Sequence, residues 1–350
     1  MDQTDPAPPR PTIADVARAA GVHASTVSRA LDPAARHRIS EAVATRVAEA
    51  AARLGYHPSA LAAGLRSGKS RTVGVIVPDL TNPVFPPIVE AIERSLSAAG
   101  YVTLLANTAG DSEREALVVE RLAAQGADGV ILASAARGST AVALCRSRHM
   151  PVVLVNRRLP PGEKGDVPSV VSDDAEGLRA AVAHLAGLGH HRIGHLGGPP
   201  GTATATDRLR GFRAGIKAAG LAEAIGPIVQ AEAYSRAAGK TAMQEILRTG
   251  PCTAVATAND LLAMGAYDAL EEAGLTVPGD ISITGFNDMP LMDRVAPPLT
   301  TVRIQHAAMG QEAAALMLRQ LAGLPPGPNL RLAAELVVRG STAPPRLRAT

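Results

Sequence analysis

From Thr72 onward the sequence changes character. Short apolar runs at 73–77, 102–106, 130–133 and 152–155 alternate with stretches of helical character at about 83–99, 112–125 and 140–148. Runs this short and apolar on both faces read as buried parallel strands. A second set follows at 169–171, 193–196, 228–230, 254–256 and 281–284, with helices near 175–188, 206–219, 236–248 and 259–273. Parallel neighbours need helical crossovers, so two such sets imply two doubly wound α/β lobes. A last helix at about 305–322 and a strand near 333–338 finish the pattern. Aromatic residues make up 2% of the chain and Trp is absent, so Ala, Val, Leu and Ile must build these cores.

Before Thr72 the periodicity is helical only. Thr12 to Asp15 forms a capping box, and Ile13, Val16, Ala17 and Ala20 repeat at helical spacing until Gly21 stops the helix. A second short helix is expected from about 23 to 31, with Val27, Ala30 and Leu31 inward and Ala24, Ser25, Ser28 and Arg29 outward. A third runs from about 40 to 54 on a stripe of Val43, Val47, Ala51 and Leu54, with Gly55 past its end. Two short helices joined by a glycine turn and braced by a third form either a generic bundle or a helix-turn-helix. Charge leaves both open while admitting the latter: residues 1–72 hold ten Lys and Arg against six Asp and Glu, within a chain of net charge +3. A basic head on a near-neutral body suits a polyanion partner.

The motifs Thr12-Ile13-Ala14-Asp15-Val16-Ala17, Ala20-Gly21-Val22, Ser25-Thr26-Val27-Ser28-Arg29-Ala30-Leu31 and Leu54-Gly55-Tyr56-His57-Pro58 resemble the head of the lactose-repressor (LacI/GalR) family. The likeness extends from about residue 12 to 342. It implies an N-terminal all-α helix-turn-helix head and an α/β two-lobed, periplasmic-binding-protein-like sensor with doubly wound parallel sheets. The implied organisation is a disordered tail (1–11), the DNA-binding domain (12–57), a hinge helix or linker (58–70), an effector-binding domain (71–342) and a second tail (343–350). Lobe 1 would hold about 71–169 and 302–328, and lobe 2 about 170–300 and 329–342, because in this family the chain crosses back between lobes. The resemblance puts Ala24 and Ser25 at positions that choose the operator sequence, Ser28 and Arg29 at other DNA-facing positions, and Thr12 and Thr26 at phosphate contacts. In the hinge, Leu65 falls on the residue that enters the minor groove, with Ala62 beside it. His23 stands where a Ser cap is frequent.

Ligands of open α/β sheets bind beyond the carboxyl ends of the strands. That rule alone nominates Pro78, Asp79, Asn82 and Phe85, then Asn156, then Asp207 and Arg208, then Asn259 and Asp260, and finally Asn287 and Asp288. Amides, carboxylates and one Arg on loops suit a neutral, hydroxyl-rich ligand, although each residue singly is more often a turn or a cap. The family resemblance implies the same site. Arg208-Leu209-Arg210-Gly211-Phe212 matches its effector-binding motif, Asn259-Asp260 its Asn-Asp pair, Phe85 its stacking aromatic and Tyr234 a second aromatic position. Gly285-Phe286-Asn287-Asp288 departs from the common form, with Asn287 in place of a carboxylate.

Other motifs lead nowhere. Residues 64–70 imitate a phosphate-binding loop but are one residue short and precede a strand. His190, His191 and His195 lack a completing Cys or carboxylate, so no metal is expected. Gly197-Gly198-Pro199-Pro200-Gly201 lacks dinucleotide-binding spacing. Cys145 and Cys252 read as small buried hydrophobes. No catalytic grouping and no cofactor is expected, which weighs against a nucleotide-dependent enzyme on similar lobes. Residues 12–57 weigh against a sugar-binding protein without a DNA head. The expectation is a non-enzymatic, cytoplasmic transcriptional regulator, a repressor, with no export signal and no membrane segment. Its partners would be a palindromic double-stranded DNA operator and a small hydroxylated effector, a sugar or sugar derivative, with a purine or another small metabolite as the alternative. It would act as a homodimer, not a tetramer, because no leucine heptad follows Val338.

Overall fold

The computed structural model describes residues 11–32, 35–57, 69–134, 138–159 and 167–346. The chain divides into two compact units, Met1–Ser70 and Arg71–Thr350. The expected hinge helix, with Ala62 and Leu65, falls at 58–68, outside the described residues, as do residues 1–10 and 347–350 of the expected tails.

The first unit contains α1 (Ile13–Ala20), α2 (Ala24–Ala30) and α3 (Glu41–Leu54). The capping box forms as expected. The Asp15 amide donates to Thr12 Oγ1 at 3.4 Å, and the Thr12 amide donates to Asp15 Oδ2 at 2.9 Å. These contacts satisfy amides that the first turn leaves without helical partners. Gly21, at φ 63°, closes α1 in the left-handed region that glycine adopts without strain. His23 itself caps α2: its Nδ1 accepts from the Ser25 amide at 3.2 Å. Val16, Ala20, Val27, Ala30, Ala44, Val47 and Ala50 make the core. The stripe expected on α3 is displaced: Ala44, Val47, Ala50 and Ala51 are buried, whereas Leu54 is exposed. Leu54 ends the helix, where the turn toward Gly55 carries its side chain off the packed face.

The second unit holds two six-stranded sheets. The first contains β1 (Thr72–Val77), β2 (Val102–Asn107), β3 (Gly129–Leu132), β4 (Val152–Val155), β5 (Ser169–Ser172) and β11 (Leu330–Leu332). Its order is β11-β5-β4-β3-β1-β2, with every pairing parallel. The second contains β6 (Ile193–Gly197), β7 (Ile228–Gln230), β8 (Ala254–Thr257), β9 (Ser282–Asn287), β10 (Thr300–Arg303) and β12 (Glu335–Val337). Its order is β12-β10-β9-β8-β6-β7, parallel except where β12 runs against β10. Helices α4 (Phe85–Ala98), α5 (Ser112–Ala124), α6 (Thr140–Ser147) and α11 (His306–Leu321) pack with the first sheet. Helices α7 (Asp174–Gly187), α8 (Ala203–Ala218), α9 (Arg236–Thr249) and α10 (Asp260–Glu272) pack with the second.

Strand β5 belongs to the first sheet, not to the second set, so the chain leaves the first lobe after Ser172 and not at 169/170. It returns through α11 after β10 has completed its place in the second sheet, and it crosses again between β11 and β12. Strand β11 had no signal of its own. Residue 343 is also no tail: Ala343 donates to Ser282 Oγ at 3.0 Å, and its carbonyl accepts from that hydroxyl at 3.0 Å.

Close helix packing explains one glycine of the effector motif. A Cβ on Gly211 would collide with the Ala175 carbonyl, so only glycine lets α8 lie this near α7. That approach carries Arg208, one turn earlier, into the space between the lobes.

Candidate functional site

On the head, α2 presents Ser25 and Arg29 to solvent, with Ser28 and Thr26 half-buried beside them. Ala24 is half-buried and packs against the head's core. The Ser25 hydroxyl lies 2.9 Å from His23 Nδ1, and Thr12 is held in the capping box. A short helix with an exposed small-polar and Arg face is the shape that reads base edges in a major groove.

In the second unit, a cleft lies at the carboxyl ends of the strands. It is lined by Asn82, Val84, Phe85, Asn156 and Arg157 of the first lobe and by Thr204, Arg208, Tyr234, Asn259 and Asn287 of the second. The structure therefore gathers Phe85, Asn156, Arg208, Tyr234, Asn259 and Asn287 from the sequence-predicted set. Asp288 is not among the lining residues. Its carboxylate lies 2.7 Å from the guanidinium of Arg303 and 2.7 Å from that of Arg339. Its backbone, at φ 51°, follows the left-handed turn of Asn287 (φ 110°), and successive residues of such a turn need not face the same way. Asp79 closes a local turn with Thr81, and Asp207 pairs with Arg158 and Arg210, so neither joins the lining. Arg157 and Thr204 were not expected. Adjacency to Asn156 at the end of β4 was the available signal for Arg157.

The second-lobe wall is a dense network. Arg208 is 3% exposed. It donates to the Ala258 carbonyl at 2.5 Å, to Asp174 Oδ1 at 3.1 Å and to Asn287 Oδ1 at 3.2 Å. Its guanidinium carbon stands 3.9 Å above the Phe286 ring, and its Nε has no hydrogen-bond partner. Its acid is Asp174, while Asp207 and Asp288 pair with other arginines. Burial pushes the Asp174 carboxyl above the usual carboxylate range, and Arg208 pulls against that shift. Asn259 caps α10, its Oδ1 accepting from the Leu262 amide at 2.9 Å. Asp260, fully buried behind it, accepts from Thr301 Oγ1 at 2.5 Å and from the Met289 amide at 2.8 Å. Burial lifts its pKa to about 7.

The first-lobe wall is held locally. Asn82 Oδ1 accepts from the Val84 amide at 3.2 Å. Asn156 takes φ 63°, a left-handed conformation that Asn tolerates better than most residues. One bridge spans the walls: Arg158 donates to both carboxylate oxygens of Asp207, at 3.1 and 2.9 Å. The free volume inside the cleft is about 20 Å³, which is room for about one water. A sugar-sized ligand enters only when the walls move apart.

The histidine cluster does not assemble. His191 is exposed, whereas His195 is buried, stacked on Phe212 at 4.7 Å and bonded to the Ala256 carbonyl at 2.8 Å. Burial holds its pKa down at about 4. Among the described residues no three His, Cys, Asp or Glu are placed to hold a metal ion, and no helix is long and apolar enough to cross a membrane.

A helix-turn-helix head joined to a two-lobed domain with a cleft at its strand ends defines a class: transcriptional regulators with a binding-protein-like sensor. Residues 12–59 match the bacterial regulatory proteins of the lacI family, and residues 182–342 match the periplasmic binding protein-like domain. The transcriptional regulator MalR of Streptomyces coelicolor is 35% identical over 343 residues, covering 95% of this chain and 96% of that protein. The lac repressor dimer bound to operator and the anti-inducer ONPF superposes with a TM-score of 0.83 at 27% identity, covering 96% of this chain and 100% of that one. The transcriptional regulator CelR in complex with cellobiose gives 0.71 at 29% identity, covering 95% and 100%. This chain belongs to the lacI family of DNA-binding transcriptional regulators.

Proposed function

We propose that the protein is a repressor that binds a palindromic operator as a homodimer, and that a hydroxylated effector, a sugar or sugar derivative, sets its operator affinity from the interlobe cleft. The convergence of Asn156, Arg208, Asn259 and Asn287 around Phe85 at the strand ends carries this reading. Amides and a guanidinium donate and accept in fixed directions, as sugar hydroxyls require, and a buried aromatic face packs against a sugar's C–H surface. The complex of the relative CelR with cellobiose supports the same ligand class. Dimerisation has its own support: β2 is an edge strand, yet Val102, Leu104 and Leu105 are 63%, 39% and 45% exposed. An uncovered apolar edge is normally shielded, and a second copy would shield it.

The test is a gel shift on the DNA flanking the gene, with and without a panel of sugars. Affinity is expected to fall linearly with salt on a log–log plot, with a slope of several units. Arg29→Ala should weaken operator binding by about tenfold without altering the melting of the head. A flat salt response, or intact affinity in the variant, overturns the DNA reading. Sedimentation at micromolar concentration should give a dimer, and a stable tetramer contradicts it.

A further inference from the structure

Arg157 stands apart from every other charge at the cleft. It lines the first-lobe wall half-buried, with its Nε enclosed and without a hydrogen-bond partner. Among the described residues its side chain makes one hydrogen bond, a long one of 3.4 Å to the Ser134 carbonyl. No carboxylate among the described residues pairs with it. Asp174 is taken by Arg208, Asp207 by Arg158 and Arg210, and Asp288 by Arg303 and Arg339. Asp260 is held by Thr301 and Met289. Glu115 lies behind Ser134, bonded by the hydroxyls of Ser134 and Ser139, and forms no ion pair with Arg157. The rest of the polar lining is neutral: four asparagines, Thr204 and Tyr234. Among the described residues the cleft thus carries one guanidinium paired with a carboxylate and one that is not.

A guanidinium keeps its charge when buried, so an unpaired one is expensive to enclose. Burial accordingly pulls Arg157 below the usual arginine range. Its planar fork matches the two oxygens of a carboxylate or phosphate. We propose that the effector carries such an anionic group on its hydroxylated body, and that Arg157 seats it. The inference rests on reading the cleft as the effector site, and it replaces the expectation of a neutral ligand. A sugar acid and a sugar phosphate share the required chemistry.

Two measurements on the full chain test it. In the first, wild type and Arg157→Gln are melted in chloride and in inorganic phosphate at matched ionic strength. Phosphate should raise the wild-type midpoint by about 2 °C or more beyond its effect on the variant. Equal shifts in both proteins overturn the proposal. If the Gln variant fails to fold, Arg157→Lys, which keeps the charge without the fork, should retain only part of the phosphate increment; a full increment overturns the proposal. In the second, glucose, glucuronate and glucose 6-phosphate are titrated calorimetrically. At least one anionic probe should bind tenfold or more tightly than glucose, with that preference lost in Arg157→Gln. A glucuronate preference assigns a carboxylate and a glucose 6-phosphate preference a phosphate, while glucose binding as tightly as both overturns the proposal. If all three bind too weakly to measure, the phosphate melt decides. Failure of this proposal is separable from failure of the functional reading. If a neutral sugar releases the operator, only the anionic group is wrong, whereas wild type that binds no flanking DNA overturns the repressor reading and leaves the melt result standing.

Discussion

On the second-lobe wall of the cleft, Arg208, Asp174, Asn287 and Asp260 are tied together or to backbone by bonds of 2.5–3.2 Å, on helices and strands that glycines allow to pack closely. On the first-lobe wall, Asn82 is held by its own turn, Asn156 by one backbone bond to the Val170 carbonyl, and Arg157 pairs with no carboxylate among the described residues. One wall is tied together by its own side chains; the other leaves its polar groups with few side-chain partners among the described residues. A preorganised surface fixes orientation at low entropic expense, while an unsatisfied one gives the ligand a differential hold on the closed state.

The largest expected effect breaks the organised wall. Arg208→Ala leaves the Asp174 carboxylate buried and uncompensated, a loss of about 3–5 kcal/mol in unfolding stability. Chemical denaturation measures it. A loss below about 1 kcal/mol would mean that Arg208 serves ligand alone. The 4% side-chain exposure of Arg208 and its ion pair with Asp174 set the size of that effect.

A smaller effect concerns Asp260. Its folded pKa, about 7, lies above the unfolded value of 3.8. The folded state therefore binds more protons between these values, and stability falls as pH rises from about 4 to about 7. Asp260→Asn removes that slope, so the stability of the variant relative to wild type should improve between pH 5 and pH 7.5. A constant difference across that range would show that Asp260 is ionised throughout.

The smallest effect probes the loosely held wall. Asn156→Gly keeps the left-handed backbone, so stability should change by about 0.5 kcal/mol or less. Losing one hydrogen bond worth about 1 kcal/mol should weaken the effector that releases the operator by about fivefold. A large loss of stability would make the two walls equally rigid and end the contrast.

Much of this is legible in the sequence. The capping box at Thr12 and the stop at Gly21 are local signals, and local chemistry settled them. Most strands announced themselves as apolar runs between helices, and the strand-end rule found six of the ten residues that line the cleft. What stayed hidden was non-local. The sheet that β5 joins depends on where the chain crosses, and nothing in Ser169–Ser172 encodes that. Strand β11 is three residues long and only partly buried, too short for periodicity to mark it. Asp288 looked like a ligand residue by adjacency to Asn287, but Arg303 and Arg339, neighbours only in space, claim it. Arg157 was passed over because whether a charge meets an acid depends on residues distant in sequence and shows only in the fold.

The threefold passage between sheets also bears on how the protein is made. The head can finish folding once residue 57 has left the ribosome. The first lobe lacks its edge strand until Leu332 emerges, and the second lacks β12 until Val337. Both lobes therefore wait, with their sheets incomplete, for almost the same moment late in synthesis. N-terminal units generally fold first during translation, and here only the head has that advantage. A premature stop in the last few dozen codons would release a chain able to occupy DNA-like polyanions through its head, with neither lobe complete enough to respond to an effector.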